Sequence, residues 1–224
     1  MKSIFLFLLL VAFQVAKSQN RTVVEMTVTD QKEAKSPKLV SFKLNPTMLL
    51  NGNIPVYVEF GLLGRLRLEA SAGVTLRDFY GELIDGALEN SFEDDGGITK
   101  QYDLGYSYGL GLRLYASSYT YQPEGVFFGL DYRNFKYNST ITSCGDIKDL
   151  NIGASRVYQD LRLLIGSSYY FDENVFLEYY SGFGLRDRNV DYGICNDLTN
   201  TVDIAKDQRT VLLISLGLKF GVTF

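Results

Sequence analysis

The 224-residue chain contains no histidine and no tryptophan, and it has only four prolines and two cysteines. Histidine is the usual general base of enzymes and a common ligand of transition metals. Its absence excludes a Ser–His–Asp or Cys–His hydrolase and any zinc site built on histidine. Carboxylate or lysine chemistry stays open, but no spacing singles out a catalytic pair. The sequence therefore predicts a protein that is not an enzyme and that holds no metal and no cofactor.

The chain also lacks an apolar run long enough for a membrane helix, which needs about 20 residues. The apolar run at residues 4–13 is too short, and it follows the positively charged Lys2. Ala16 and Ser18 put small side chains at positions −3 and −1 of a cleavage before Gln19. This order of features predicts a secretory signal peptide over residues 1–18.

Acidic residues outnumber basic ones, 26 against 22, and glycine and aromatic residues are abundant. Removal of the signal peptide takes away Lys2 and Lys17, which changes the formal net charge from −4 to −6. An acidic chain without a basic stripe argues against nucleic acid as a partner. The 21 glycines, 16 tyrosines and 15 phenylalanines indicate strands, because aromatic residues favour them and glycine marks tight packing or bulges within them.

The last fourteen residues, VLLISLGLKFGVTF, carry the clearest pattern. Every even-numbered residue from Leu212 to Phe224 is apolar, whereas the odd-numbered residues from Ser215 to Thr223 are small or polar. Such alternation predicts a strand with two different faces.

Seven earlier segments repeat this alternation after a polar lead segment at residues 19–37. The eight predicted strands cover residues 38–44, 55–62, 66–78, 102–115, 125–137, 156–170, 175–186 and 211–224. Long polar connections at 79–100, 138–155 and 187–208 follow odd-numbered strands, so an up-and-down meander places them all at one end. Membrane barrels have short periplasmic turns and longer outer loops, and we expect three long acidic extracellular loops and periplasmic termini.

Two closed all-β folds fit the alternation. A soluble barrel puts its apolar face inside, as lipocalins do, and a membrane barrel inverts this arrangement. The apolar face carries almost no charge, as lipid contact requires, since Lys or Arg at mid-depth costs about 2–4 kcal/mol. The polar face carries nearly balanced charges, eight positive and six negative: Lys43, Arg67, Arg77, Arg113, Arg133, Arg162, Arg186 and Lys219 against Glu59, Glu69, Asp103, Asp131, Asp160 and Glu178.

The sequence therefore predicts an eight-stranded antiparallel up-and-down transmembrane β-barrel over residues 38–224. The charges of the polar face either fill the lumen as ion pairs or line a conduction path. Side chains about fill the interior of an eight-stranded barrel, so the sequence favours an ion network. Cys144 and Cys195 fall in two long loops at the same end of an exported protein, where we predict a disulfide. Two free thiols are the alternative.

The chain resembles the small eight-stranded outer-membrane barrels of Gram-negative bacteria, of the OmpA/OmpX type. The residues that carry this resemblance are the signal peptide, the alternating strands and the terminal apolar set Leu218, Phe220, Val222 and Phe224. That set looks like the signal read by the barrel-assembly machinery. Residues 45–77, with IPVYVEFGLLGRLRLEASAGVTLR inside them, look most like uncharacterised barrels of Bacteroidota. With no tryptophan for the interfacial girdles, tyrosines are expected to substitute: Tyr57, Tyr106, Tyr108, Tyr132, Tyr169 and Tyr179.

The resemblance implies residence in the outer membrane, in contact with lipid and lipopolysaccharide, and the loops would meet extracellular partners. We expect a structural or surface-interaction role. A narrow, porin-like channel or small-solute transporter is the alternative. A lipid-modifying barrel enzyme or a soluble ligand-binding barrel ranks lower.

Overall fold

The computed structural model describes residues 39–79, 81, 98–116, 124–144, 147–196 and 201–224. The predicted signal peptide, the lead segment at 19–37 and most of the first long loop lie outside the described residues. Within the described part of the chain, no helix is long and apolar enough to cross a membrane.

The described residues form eight antiparallel strands and one short 3₁₀ helix. The strands are β1 (Val40–Leu44), β2 (Asn53–Leu63), β3 (Leu66–Thr75), β4 (Thr99–Tyr115), β5 (Gly125–Ser143), β6 (Ile152–Tyr170), β7 (Val175–Asn196) and β8 (Thr201–Thr223). The 3₁₀ helix, Pro46–Asn51, connects β1 to β2. Each strand pairs with its neighbour in sequence, and β8 pairs with β1, so the predicted up-and-down barrel is confirmed.

The strands are tilted, as closure of eight strands requires. A row of paired residues starts at Leu44 and passes round the barrel through Val56, Ala72, Tyr108, Asn134, Gln159, Asp187 and Thr210. The row reaches β8 at Thr210, whereas Leu44, where the row began, pairs with Phe220 of the same strand. The barrel therefore closes with a stagger of ten residues (220 − 210). This stagger tilts the strands steeply and leaves an interior just wide enough for side chains.

The two faces of the strands meet different surroundings. Lys43 is 1% exposed, whereas its neighbours Phe42 and Leu44 are 49% and 57% exposed. The same alternation continues round the barrel, with buried charged residues inside and exposed large apolar residues outside. Polar side chains therefore form the interior, and the apolar face forms the outer surface.

Two of the three long loops predicted from the sequence are mostly strand. The predicted loop at 138–155 contains the ends of β5 and β6, and the one at 187–208 contains the ends of β7 and β8. Asp187 pairs with Thr210, and the ladder continues without a break to Asn196 opposite Thr201. The predicted loop boundaries at these two places are therefore wrong.

The loop boundaries were predicted wrongly because a row of polar residues, here called the polar row, ends the apolar surface on the side of the barrel formed by its longest strands. Its residues are Asn134, Gln159, Asp187 and Thr210, on the four consecutive strands β5 to β8. Beyond this row the outward-facing residues are mostly polar, and the inward face is apolar only at separate positions such as Phe135, Tyr158 and Val190, so the pattern of an apolar outer face and a polar inner face disappears. Backbone hydrogen bonds hold the ladder together there, and they leave no trace in hydropathy.

Candidate functional site

The centre of the lumen contains a cluster of six charged side chains from six strands. Its members are fully or almost fully buried, with side chains at most 2% exposed: Lys43, Glu59, Glu69, Arg113, Glu178 and Lys219. Each belongs to the alternate residues of its strand whose side chains face the lumen. Closure of the barrel therefore brings together residues up to 176 positions apart in sequence (219 − 43).

Each carboxylate of this central cluster meets more than one cation. The Lys43 ammonium lies 2.6 Å from Glu59 and 2.7 Å from Glu178. Arg113 donates to Glu69 at 2.7 Å and also lies 2.6 Å from Glu178. Lys219 donates to Glu69 at 2.6 Å. Removing any one of these groups would leave an uncompensated buried charge, so the cluster holds six strands to one geometry.

The three glutamates come close enough together to resemble a metal site, since one oxygen of each lies within 4.8 Å of the others. Their charges are already neutralised by Lys43, Arg113 and Lys219, and Arg67 adds a further positive charge 3.6 Å from Glu59. A divalent ion here would meet net positive surroundings. The arrangement is therefore an ion network rather than a set of metal ligands.

Two further ion pairs continue the network towards the end of the barrel at which the long β7–β8 hairpin projects, here called the outer end. Asp131 accepts from Arg162 and lies 2.8 Å from Arg133, its neighbour on β5. Asp160 accepts two hydrogen bonds from Arg186, at 2.7 and 2.9 Å, in the bidentate geometry typical of arginine and carboxylate. The charged lumen therefore extends from the central cluster almost to the polar row.

Aromatic rings also line one side of the lumen. Tyr115, Phe127, Leu164 and Tyr180 form a buried apolar cluster on β4, β5, β6 and β7. The ring of Phe127 lies 4.7 Å from the Arg113 guanidinium, so the aromatic cluster packs directly against the ion network.

The 3₁₀ helix closes the lumen from the outer end. Met48 is 8% exposed and packs with Phe135, Tyr137 and Tyr158. Its sulfur accepts from Arg133 at 3.8 Å, and Tyr137 donates to the carbonyl of Asn51 at 2.8 Å. The chain between β1 and β2 therefore folds into the barrel.

A small open pocket lies beside the 3₁₀ helix at the outer mouth, lined by Met48, Asp78, Tyr158 and Arg186 among others. Asp78 accepts from the Tyr158 hydroxyl and from the Gly81 amide there. Arg156 lies 3.8 Å from the same carboxylate. The polar groups at this mouth are thus engaged with one another.

The structure brings the residues proposed for the lumen network into this one interior, with two exceptions. Arg77 and Asp103, which the alternation also assigns to the lumen, are exposed. β3 ends at Thr75, before Arg77, and a register shift between Asp103 and Tyr106 interrupts the pairing of β4 with β5.

Of the tyrosines expected in the interfacial girdles, five lie on the outer surface and one lies inside the barrel. Tyr106, Tyr108, Tyr132 and Tyr169 are exposed on the outer surface, and Tyr179 is partly exposed. Tyr57 is 1% exposed and lies inside, with the Lys219 ammonium 3.9 Å from its ring centre. The girdle expectation for Tyr57 is wrong, because Tyr57 lies on the inward parity of β2.

The predicted disulfide between Cys144 and Cys195 is confirmed. Cys195 lies near the outer end of β7, and Cys144 follows the end of β5. The bond therefore links the β5–β6 connection to the hairpin of β7 and β8. In the terminal set, Phe220, Val222 and Phe224 lie on the outer face of β8, and Leu218 there is partly exposed.

Neither the protein-family models nor the curated proteins include a relative from which a role could be transferred. No protein-family model matches the chain. No curated protein matches it closely enough to count as a relative. The fold and the geometry of the lumen are therefore the basis for any functional conclusion.

Sequence reasoning missed the parts of the site that lie outside regular strands. Met48 and the 3₁₀ helix fall between Asn45-Pro46 and Asn51-Gly52, a stretch that predicts only a turn. Asp78, whose carboxylate accepts from the Tyr158 hydroxyl, falls inside the predicted strand 66–78 on its apolar parity, whereas β3 ends at Thr75. The alternation therefore gives no signal for the 3₁₀ helix and assigns Asp78 to the wrong face.

Proposed function

We propose that the chain is an integral outer-membrane β-barrel of the small eight-stranded type, with a structural or surface-interaction role. The observation that carries this proposal is the inverted distribution of polarity: ion pairs fill the interior, and exposed leucine, phenylalanine, valine and tyrosine cover the outside. In water this large apolar surface would stay exposed to solvent, which is unfavourable, whereas the acyl chains of a membrane would cover it.

The proposed role is to carry a rigid extracellular wall above the membrane. The parts of β5 to β8 beyond the polar row form this wall, and the disulfide fastens its two hairpins together. Charges of both signs lie along its β7–β8 hairpin, including Asp187, Arg188, Asp207 and Arg209. Polar contact with surface partners fits such a mixed face, with lipid and lipopolysaccharide surrounding the barrel below and the barrel-assembly machinery inserting it.

Heat modifiability tests the proposal. The mature chain is folded in detergent, and boiled and unboiled samples are compared by gel electrophoresis and circular dichroism. We expect the unboiled form to migrate differently and to remain strand-rich, because a closed barrel resists dodecyl sulfate until heated. Folding in plain buffer without detergent would overturn the proposal in favour of a soluble barrel.

A narrow channel is the second candidate, since the lumen is polar along much of its length. Three buried groups in the lumen oppose it: the aromatic cluster, the central ion cluster and the 3₁₀ helix. We expect no unitary conductance steps in planar bilayers above those of protein-free membranes. Unitary conductance steps of uniform size that persist when the salt concentration is changed moderately would favour the channel.

A further inference from the structure

The ring of strands is closed by a short seam. β8 pairs with β7 over its whole length, from Thr201 to Val222, but with β1 only from Phe220 to Thr223. β1 ends at Leu44, and the chain then turns inward as the 3₁₀ helix. Above the seam, among the described residues, no strand pairs with the second edge of β8.

This gap forms a notch in the outer wall between β8 and β2. Leu212, Ile214 and Leu216 line one side and are 71%, 74% and 73% exposed, compared with 56% for Phe183 on the neighbouring strand. Leu49 and Leu50 of the 3₁₀ helix, 50% and 75% exposed, form its floor. The notch is therefore apolar, and it is continuous with the apolar outer surface of the barrel.

Backbone polar groups also face the notch. The Phe224 amide donates to Val40 on the β1 side, whereas the Thr223 amide donates to Asn174 on the β7 side. Even-numbered residues of β8 therefore direct their N–H and C=O groups towards β1, and for Leu212, Ile214 and Leu216 no described strand receives them. In hydrocarbon such groups require a hydrogen-bonding partner, because each unsatisfied group costs several kcal/mol.

A cation stands at the outer corner of the notch. The amide of Leu76 donates to the carbonyl of Gly52, which ends the 3₁₀ helix, at 2.8 Å. The next residue, Arg77, is exposed, and its guanidinium lies 4.5 Å from the ring centre of Tyr102 and 5.3 Å from that of Phe79. Arginine beside aromatic rings is typical of the level where lipid headgroups meet hydrocarbon.

We propose that the notch is a binding site for one anionic lipid, which this barrel holds more tightly than the surrounding lipids. One acyl chain lies between β8 and the 3₁₀ helix, against Leu216 and Leu50. The ester or amide carbonyl near its headgroup accepts from the Leu212 amide, next to the polar row. The anionic headgroup lies against Arg77. The proposal rests on insertion of the barrel in a membrane, as proposed above.

A second copy of the chain fits the notch less well. Two barrels with the same orientation in a membrane would present their β8 edges in parallel. In a two-fold pair about the membrane normal, the same even-numbered residues would face each other at the same height. A regular parallel ladder needs staggered donors and acceptors, so this pairing would leave them unmatched.

Native mass spectrometry of the refolded, disulfide-bonded chain tests the proposal. The mature protein is released from vesicles of equal parts phosphatidylglycerol and phosphatidylcholine, and the retained lipids are counted by mass. We expect one retained phosphatidylglycerol per barrel, at least about threefold over phosphatidylcholine. Leu50→Trp, which fills the notch, should retain no lipid, whereas Leu163→Trp on the outer face of β6 should behave as wild type.

A separate substitution, at Arg77, tests the contact with the lipid headgroup. Arg77→Gln should retain the two lipids equally, and Lys206→Gln, which removes an exposed charge on β8, should keep the preference. Equal retention by Leu50→Trp and Leu163→Trp would overturn the site, as would a dimer that Leu50→Trp dissociates. An unchanged preference in Arg77→Gln would overturn the headgroup assignment. Heat modifiability of every variant separates these outcomes from failure of the barrel proposal itself.

Discussion

At the scale of single residues, this protein depends on buried charge. Lys219 shows why: its ammonium donates to Glu69 at 2.6 Å and lies 3.7 Å from Glu178, and none of the three side chains is more than 2% exposed. In a protein with an apolar core, a lysine at such a position would destabilise the fold, because its ammonium group would be buried without a partner. Here the lysine has matched partners on β3 and β7, and its value lies in fixing where those strands sit.

Lys219→Met tests this dependence. The substitution leaves Glu69 and Glu178 with less compensation inside the barrel, and breaking a buried pair typically costs about 3–5 kcal/mol. We expect the free energy of unfolding in detergent micelles, measured by urea titration and circular dichroism, to fall by that amount.

Lys206→Met is the matched control, because Lys206 lies on the same strand and is exposed. Its effect should stay within about 0.5 kcal/mol, as is usual for surface substitutions. Equal losses in the two variants would mean that the central cluster contributes no more than surface charge does.

At the scale of elements, the outer hairpin of β7 and β8 is the least expected feature. Its ladder runs from the polar row to Asn196 opposite Thr201, whereas β6 pairs with β7 only up to Val190. Beyond Val190 the described residues of β7 have no backbone pairing with β6; Ser155 donates to the Asp191 carboxylate at 2.9 Å, and the disulfide to Cys144 holds the end of β7 in place.

Removal of the disulfide should loosen this hairpin without opening the barrel. The bond joins residues 51 apart, for which the chain-entropy model gives up to about 4 kcal/mol. We expect Cys195→Ser to lower the free energy of unfolding by at most that amount, and to speed proteolysis of the hairpin while heat modifiability is kept.

Cys144→Ser should match Cys195→Ser, and the double variant should add nothing, since all three remove the same bond. A maleimide should label the folded wild-type protein only after reduction. Labelling without reductant, or additive effects of the two substitutions, would contradict a formed disulfide.

Much of this architecture could be predicted from the sequence, because the outer surface and the lumen of the barrel impose opposite demands on alternate residues. Glu59, Arg113 and Glu178 could be assigned to one face from alternation alone. Their pairing could not be, since it depends on the stagger of the strands. The ends of β7 and β8 also could not, because a strand with water on both faces has no apolar period.

At the scale of the whole molecule, the inverted polarity separates a membrane barrel from a soluble one. Leu163 lies midway along the apolar outer surface, paired with Leu130 and Phe183. Leu163→Arg should lower the free energy of unfolding in lipid vesicles by about 2–4 kcal/mol, the cost of arginine at mid-depth.

Ile204→Arg is the comparison, because Ile204 is exposed on β8 beyond the polar row. It should be close to neutral, since its side chain would meet water. Both positions are exposed, so a soluble barrel would tolerate both substitutions alike. Equal effects in vesicles would therefore contradict the depth dependence that membrane insertion requires.

The number of strands, their order and the charged face of each strand follow from the amino-acid sequence, because they depend on a period of two and on the turns between the strands. How far the strands extend, which charges pair, and the inward turn of Pro46–Asn51 above a short seam are visible only in the folded barrel. Those features depend on stagger and closure. Both are relations between distant strands, and no local pattern records them.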